Sequence, residues 1–205
     1  MDLLSRLAGV RKHRSLPIFP LGTVLLPGSL LPLRIFEVRY MDMARACLRD
    51  STSFGVCLIR EGDEVGAPAV PEAVGCEARI ADCDMEELGI LKVRAQGLGR
   101  FRIVASEVSR QGLIVGDVEE IEAEAPQPDA PGLAQSAEFL RKAIAGIGEE
   151  RFAQPFAFDD ASWVGFRLAE ILPLRMEVKQ MLLELTDSAM RLAVLHKFLR
   201  QQELI

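Results

Sequence analysis

The 205-residue chain is short of almost every side chain that carries enzyme chemistry. Its two histidines, His13 and His196, stand near opposite ends of the sequence. That leaves too few partners for a histidine-based zinc site or a catalytic triad. No Gly-Lys dipeptide occurs, which excludes a P-loop. Neither Ser-x-x-Lys nor Gly-x-Ser-x-Gly is present. The four cysteines, Cys47, Cys57, Cys76 and Cys83, form no Cys-x-x-Cys pair. Their apolar neighbours predict buried free thiols. A single tryptophan and a single tyrosine leave few rings on which bases could stack. Basic residues are outnumbered, 24 against 30 acidic, for a net charge of −6, which argues against a general nucleic-acid binder. No apolar run reaches the length of a bilayer span; Arg34 ends the longest. In the first residues a short apolar part precedes the basic ones, the reverse of a secretory signal. They predict a loosely attached arm over 1–14 and a cytoplasmic protein.

What the chain does have is a hydrophobic share of 49%, ample for a core. Its most informative stretch is Leu16 to Tyr40, LPIFPLGTVLLPGSLLPLRIFEVRY. Three apolar runs are punctuated by Pro17, Pro20, Pro27-Gly28 and Pro32. Leu31, Leu33 and Ile35 alternate with Pro32 and Arg34, the period of a strand. Proline has no N–H to give a ladder, so Pro17, Pro20 and Pro32 call for edge strands or bulges. Short, bent strands of a small barrel read this way.

Glu37 to Arg49 has helical spacing, with Tyr40, Ala44, Cys47 and Leu48 on one face and Arg39, Asp42, Arg45 and Arg49 outside it. Phe54, Val56 and Leu58 alternate. Glu61 to Ala73 has no usable period, and a loop this long is functional or mobile. Val74 to Cys83 and Leu91 to Ala95 alternate again and form a hairpin joined by Asp82 to Gly89. Phe101 and Ile103 continue beyond a bend at Gly97 and Gly99, and Leu113 to Ile121 is the last strand. The pattern predicts at least six short strands over 15–121 in a closed or nearly closed barrel. Glu122 to Gly132 has the acidic, proline-rich composition of a linker. Past it the period becomes helical. Leu133 to Ile147, a helix capped by Asp159 or Asp160 and running to Leu172, Leu174 to Leu185, and a last helix capped by Asp187 or Ser188 predict a bundle over 132–205.

"LPIFPLGTVLLPG…LPLRIFEVRY" closely resembles the opening of the Lon protease N-terminal, or Lon substrate-binding, domain. The resemblance continues at Val74-Gly75-Cys76-Glu77-Ala78-Arg79-Ile80, at Gly97-Leu98-Gly99-Arg100-Phe101-Arg102-Ile103 and in the C-terminal helices, covering roughly Leu16 to Leu199. It implies an α+β fold, a PUA-like β-barrel followed by a C-terminal α-helical bundle. It implies a non-catalytic module that recognises unfolded or apolar protein segments or docks a partner protein, and it brings no cofactor. The ATPase and Ser-Lys protease parts of Lon have no counterpart here. PUA-like barrels in other families bind RNA, and that is the alternative reading.

The candidate binding residues are Arg34, Phe36 and Tyr40, where a strand becomes a helix. An aromatic pair with a neighbouring arginine suits an extended peptide. The competing reading is a buried corner, with Arg34 paired to Glu37 and Phe36 in the core. Four other features have plainer readings. Asp82, Asp84 and Glu86 lack the glycine and glutamate of a calcium loop and read as a solvated hairpin tip. Lys92, Arg94, Arg100 and Arg102 read as the polar outer face of a sheet or, less simply, a basic strip. Trp163 with Phe166 reads as bundle core. His196 reads as a helix-end histidine favoured by the helix dipole.

Overall fold

The computed structural model describes residues 13–87 and 89–205. All but two residues of the expected arm, 1–12, lie outside this range. His13 and Arg14, expected within the arm, instead open the first strand. The fold is α+β. In order come β1 (His13–Leu21), β2 (Leu30–Ile35), α1 (Val38–Asp50), β3 (Phe54–Glu61), β4 (Val70–Pro71), β5 (Val74–Glu87), β6 (Ile90–Val108) and β7 (Ile114–Ile121). Four helices follow: α2 (Leu133–Ile147), α3 (Ala161–Ile171), α4 (Met176–Glu184) and α5 (Ser188–Gln201).

The strands form one mostly antiparallel sheet in the order β1-β7-β6-β5-β3-β4, with β2 paired to β6 off that path. β3 also pairs with β1, in parallel, so the sequence of pairings returns to the strand it began from. The prolines of β1 show how. Residues His13 to Ile18 pair with β7, and Ile18 to Leu21 pair with β3. Pro17 therefore lies in the half bonded to β7 and Pro20 in the half bonded to β3. Each half has one open edge, where a missing N–H breaks no ladder.

Several boundaries differ from the sequence reading. Asp82 to Glu87, expected as a connection, is strand, with Glu87 paired to Ile90 at the start of β6. Asp82 pairs with Arg94, Cys83 with Val93 and Asp84 with Lys92. Residues 81–84 are exposed, whereas Leu91 and Val93 of the partner strand are buried and pair with β2 as well. Cys83 is accordingly exposed, unlike the other three thiols. β6 continues through Gly97 and Gly99 as one strand but bulges there: Cys76 pairs with Arg100 and Ala78 with Gly97, so β6 carries one more residue than β5. Gly97 is needed for closeness as well: a Cβ there would collide with the Leu26 carbonyl. On α1, Leu48 faces solvent while Met41, Met43 and Arg39 are buried.

The helical bundle follows the expected order. Asp160 caps α3 by accepting from the Ser162 N–H at 2.8 Å. Asp187 caps α5, accepting from the Ala189 and Met190 N–H groups at 2.9 and 3.1 Å. Leu140, Ile144, Val164, Leu168, Leu182, Leu192, Leu195 and Leu199 fill its centre, and Leu26 and Val74 from the strand half join the same cluster. A second cluster, with Phe19, Ile35, Tyr40 and Phe54, lies between α1 and the sheet.

The stretch read as an acidic linker holds a buried charge. The Glu124 side chain is 3% exposed. It accepts from Arg100 Nη2 and Arg191 Nη1, both at 2.8 Å, and from the Ser162 hydroxyl at 2.8 Å. Arg191 Nη2 holds its other oxygen. Composition hides such a residue, because what takes Glu124 inside is a pair of arginines 24 and 67 positions away.

Candidate functional site

The end of β2 sets the geometry. Ile35 turns into the core, and the next side chain, Phe36, is 52% exposed. Glu37 then occupies the cap position of α1 without a side-chain capping bond. Its carboxylate accepts instead from Arg39 Nη2 at 2.8 Å. Glu37 is thus paired with Arg39, which is buried and also donates to the Gly112 carbonyl at 3.1 Å. One residue on, Tyr40 points inward and is 3% exposed. Its ring stacks on Phe19 with centroids 4.1 Å apart, and the Arg39 guanidinium lies 4.7 Å from its centre. Burial pushes the Tyr40 phenol above its ordinary pKa.

A groove of about 320 Å³ runs along this corner. Arg34, Phe36 and Tyr40 all line it. Phe19 and Leu21 at the end of β1 and Leu31 and Leu33 of β2 also line it. Glu64 and Val65, from the long connection between β3 and β4, complete the lining. Glu64 Oε1 accepts from the Gly22 backbone N–H at 2.5 Å. Sequence reasoning singled out three of these residues and missed Phe19, Leu21 and Glu64. Only the length of the 61–73 loop hinted at the last of them.

A larger cleft of about 710 Å³ separates β2 from the bundle, lined by Leu30, Pro32, Arg94, Phe152, Glu170 and Ile171 among others. The other sequence candidates lie apart. The basic strip does not assemble: Arg100 is buried on Glu124, and Arg94 lies 3.6 Å from Asp82. Trp163 packs against Phe156 and Phe158, with centroids 5.9 and 5.1 Å away. His196 does not act at the helix end; its Nδ1 lies 3.1 Å from the buried Ser136 hydroxyl and ties α5 to α2. That serine is 0% exposed, while the histidine is half-buried and lines a surface pocket with Gly132 and Lys197. Burial pushes the Cys76 thiol up to about 12 and raises Cys57 as well, which makes both inert as nucleophiles. Among the described residues no group of three or more His, Cys, Asp or Glu side chains is placed to hold a metal ion. Among them, too, no helix is long and apolar enough to cross a membrane.

The groove is lined by apolar side chains, one exposed aromatic and the charged Arg34, Glu37 and Glu64. The family model of the ATP-dependent protease La (LON) substrate-binding domain matches residues 15–201. Among solved structures, the crystal structure of a Lon N-terminal domain protein from Xanthomonas campestris superposes with a TM-score of 0.75 at 41% identity, covering 89% of this chain and 96% of that one. The N-terminal domain of Mycobacterium avium complex Lon protease shares the fold, with a TM-score of 0.64 at 23% identity over 89% of this chain and 96% of that one. With a family model spanning nearly its whole length, the chain belongs to the LON substrate-binding domain family.

Proposed function

We propose that this protein is a non-catalytic recognition module of the cytoplasm that holds unfolded or apolar segments of other proteins. The groove beside Arg34, Phe36 and Tyr40 is its contact surface. The observation that carries the reading is the pairing of an exposed Phe36 with a buried, stacked Tyr40 on a shared groove. An exposed aromatic on a groove whose lining also holds a rigid, stacked aromatic suits an interface anchor, because the buried ring does not reorganise when the groove is filled. Membership of a substrate-binding family supports the same reading. The returning strand pairings support a PUA-like barrel as the scaffold, with the bundle packed against it. Among the described residues, no arrangement of basic and aromatic side chains favours RNA.

The test is binding of the whole protein to an array of short peptides scored against shuffled-sequence controls. Selective capture of apolar peptides, weakened about tenfold or more by Phe36→Ala, is the expected result. A blank array from folded protein removes the reading.

A further inference from the structure

The connection between β3 and β4 is built as a flap. Its neck is pinched where Gly62 and Ala69 meet: a Cβ on Gly62 would lie 3.3 Å from the Ala69 Cα. Gly62 itself has φ +94°, and Gly66 at the tip has φ +102°. These left-handed conformations shape the turn without side-chain support. Between neck and tip, residues 62–68 are all exposed. Beyond the neck, the flap rejoins the sheet only through the two-residue β4. A segment so anchored at its base and uncovered along its length gains little from packing and opens at small cost.

One contact crosses from the flap to the groove wall. Glu64 accepts from the Gly22 N–H at 2.5 Å, and the side chain of its neighbour Val65, 57% exposed, also lines the groove. Gly22 directly follows β1, on the wall that carries Phe19 and Leu21. Its N–H is a main-chain donor at the edge of an apolar channel. A carboxylate oxygen sits where the main-chain carbonyl of an extended segment would sit if that segment lay along the wall.

We propose that the 62–69 flap is a lid on the groove, latched by Glu64 on the Gly22 N–H. An incoming protein segment would exchange the latch for one of its own main-chain carbonyls. This rests on the groove reading given above and adds a regulatory step to it. The apparent affinity of a site that must first open is its intrinsic affinity scaled by the open fraction. Removing the latch therefore tightens binding.

The test compares the whole protein with Glu64→Ala, an exposed position whose loss leaves the cores intact. The probe is a fluorescently labelled short peptide alternating leucine and threonine, and the second readout is amide hydrogen exchange at Gly22. The latch is one solvent-exposed hydrogen bond to a charged group, so the variant should bind the peptide about three- to tenfold tighter and exchange Gly22 faster by a similar factor. Equal or weaker binding by the variant overturns the lid whatever Gly22 does, and leaves the groove reading intact. Unchanged exchange at Gly22 shows there is no latch and overturns it too. A peptide bound by neither protein overturns both the groove reading and the lid.

Discussion

Phe36 and Tyr40 are four residues apart in sequence and carry opposite burdens. Phe36 is half exposed, and its ring contributes little to the folded state. Replacing it by alanine should shift stability by no more than about 0.5 kcal/mol, while weakening peptide capture. Tyr40 is stacked on Phe19 in a filled core, and Tyr40→Ala should cost about 3–5 kcal/mol in urea unfolding. Loss of binding in that variant would accompany loss of structure, so only Phe36 separates recognition from folding. Glu124 carries a third kind of burden. Burial alone raises its pKa, but hydrogen bonds and charge from Arg191, Ser162 and Arg100 outweigh burial and hold it below 4.5. A carboxylate depressed in the folded state stabilises at pH above its unfolded pKa and loses that contribution as pH falls through the folded value. The urea midpoint should therefore drop on acidification below about pH 4.5, and less steeply in Glu124→Gln. At neutral pH, Glu124→Ala leaves Arg100 and Arg191 buried without their partner, at a cost of about 3–5 kcal/mol.

At the scale of elements, the strand half shows where sequence reading succeeds and where it stops. The alternation of Leu31, Leu33 and Ile35 gave β2, and the helical spacing beyond Glu37 gave α1, because each buries a face along a regular period. The end of β5 was not legible, because residues 81–84 are all exposed and leave no buried face to make a pattern. The bend read at Gly97 and Gly99 falls on a bulge in β6, but the approach of Leu26 to Gly97, from elsewhere in the chain, leaves no local sign. The start of β1 was hidden for a related reason: its clip is a charge contact with a distant strand. His13 lies 3.1 Å from Asp117 and 3.0 Å from Glu119 on β7. The hydrogen bond to Asp117 chiefly, with the charge of both carboxylates, raises its pKa above 6.5. A histidine raised in the folded state stabilises below its unfolded pKa and loses that contribution as pH rises through the folded value. Thermal scans should show a loss of stability as pH rises from about 6.5 to 8 that is absent in His13→Ala. His13 and Asp117 are exposed, so high salt should suppress the difference.

For the whole molecule the question is whether sheet and bundle act separately. The change of period near residue 132 predicts a strand half and a helical half, with the proline-rich acidic stretch between them as a linker. What joins the halves is long-range polar contact, which no local pattern records. Arg167 of α3 donates to the Pro27 carbonyl at 2.6 Å and the Ser29 hydroxyl at 2.9 Å, in the turn before β2. Gln180 of α4 donates to the Val74 carbonyl at 3.0 Å, and Arg100 of β6 to the Leu183 carbonyl at 2.9 Å. These groups sit around shared apolar packing at Leu26 and Val74. Separating the halves would expose that packing and desolvated charge together, so partial unfolding has no low-energy form. The sequence supplies its own probes, since the single tryptophan, Trp163, lies in the bundle and the single tyrosine, Tyr40, in the sheet cluster. Trp163 fluorescence and the fluorine resonance of a fluorotyrosine at Tyr40 should report the same urea midpoint, as one cooperative unit requires. Arg167→Ala removes a buried cation and its bonds to the β2 turn, and should lower both midpoints together. A Trp163 transition that precedes the Tyr40 transition in the unmodified protein would instead make the bundle an independent unit. The groove at β2 and α1 would then keep its shape without the helices behind it.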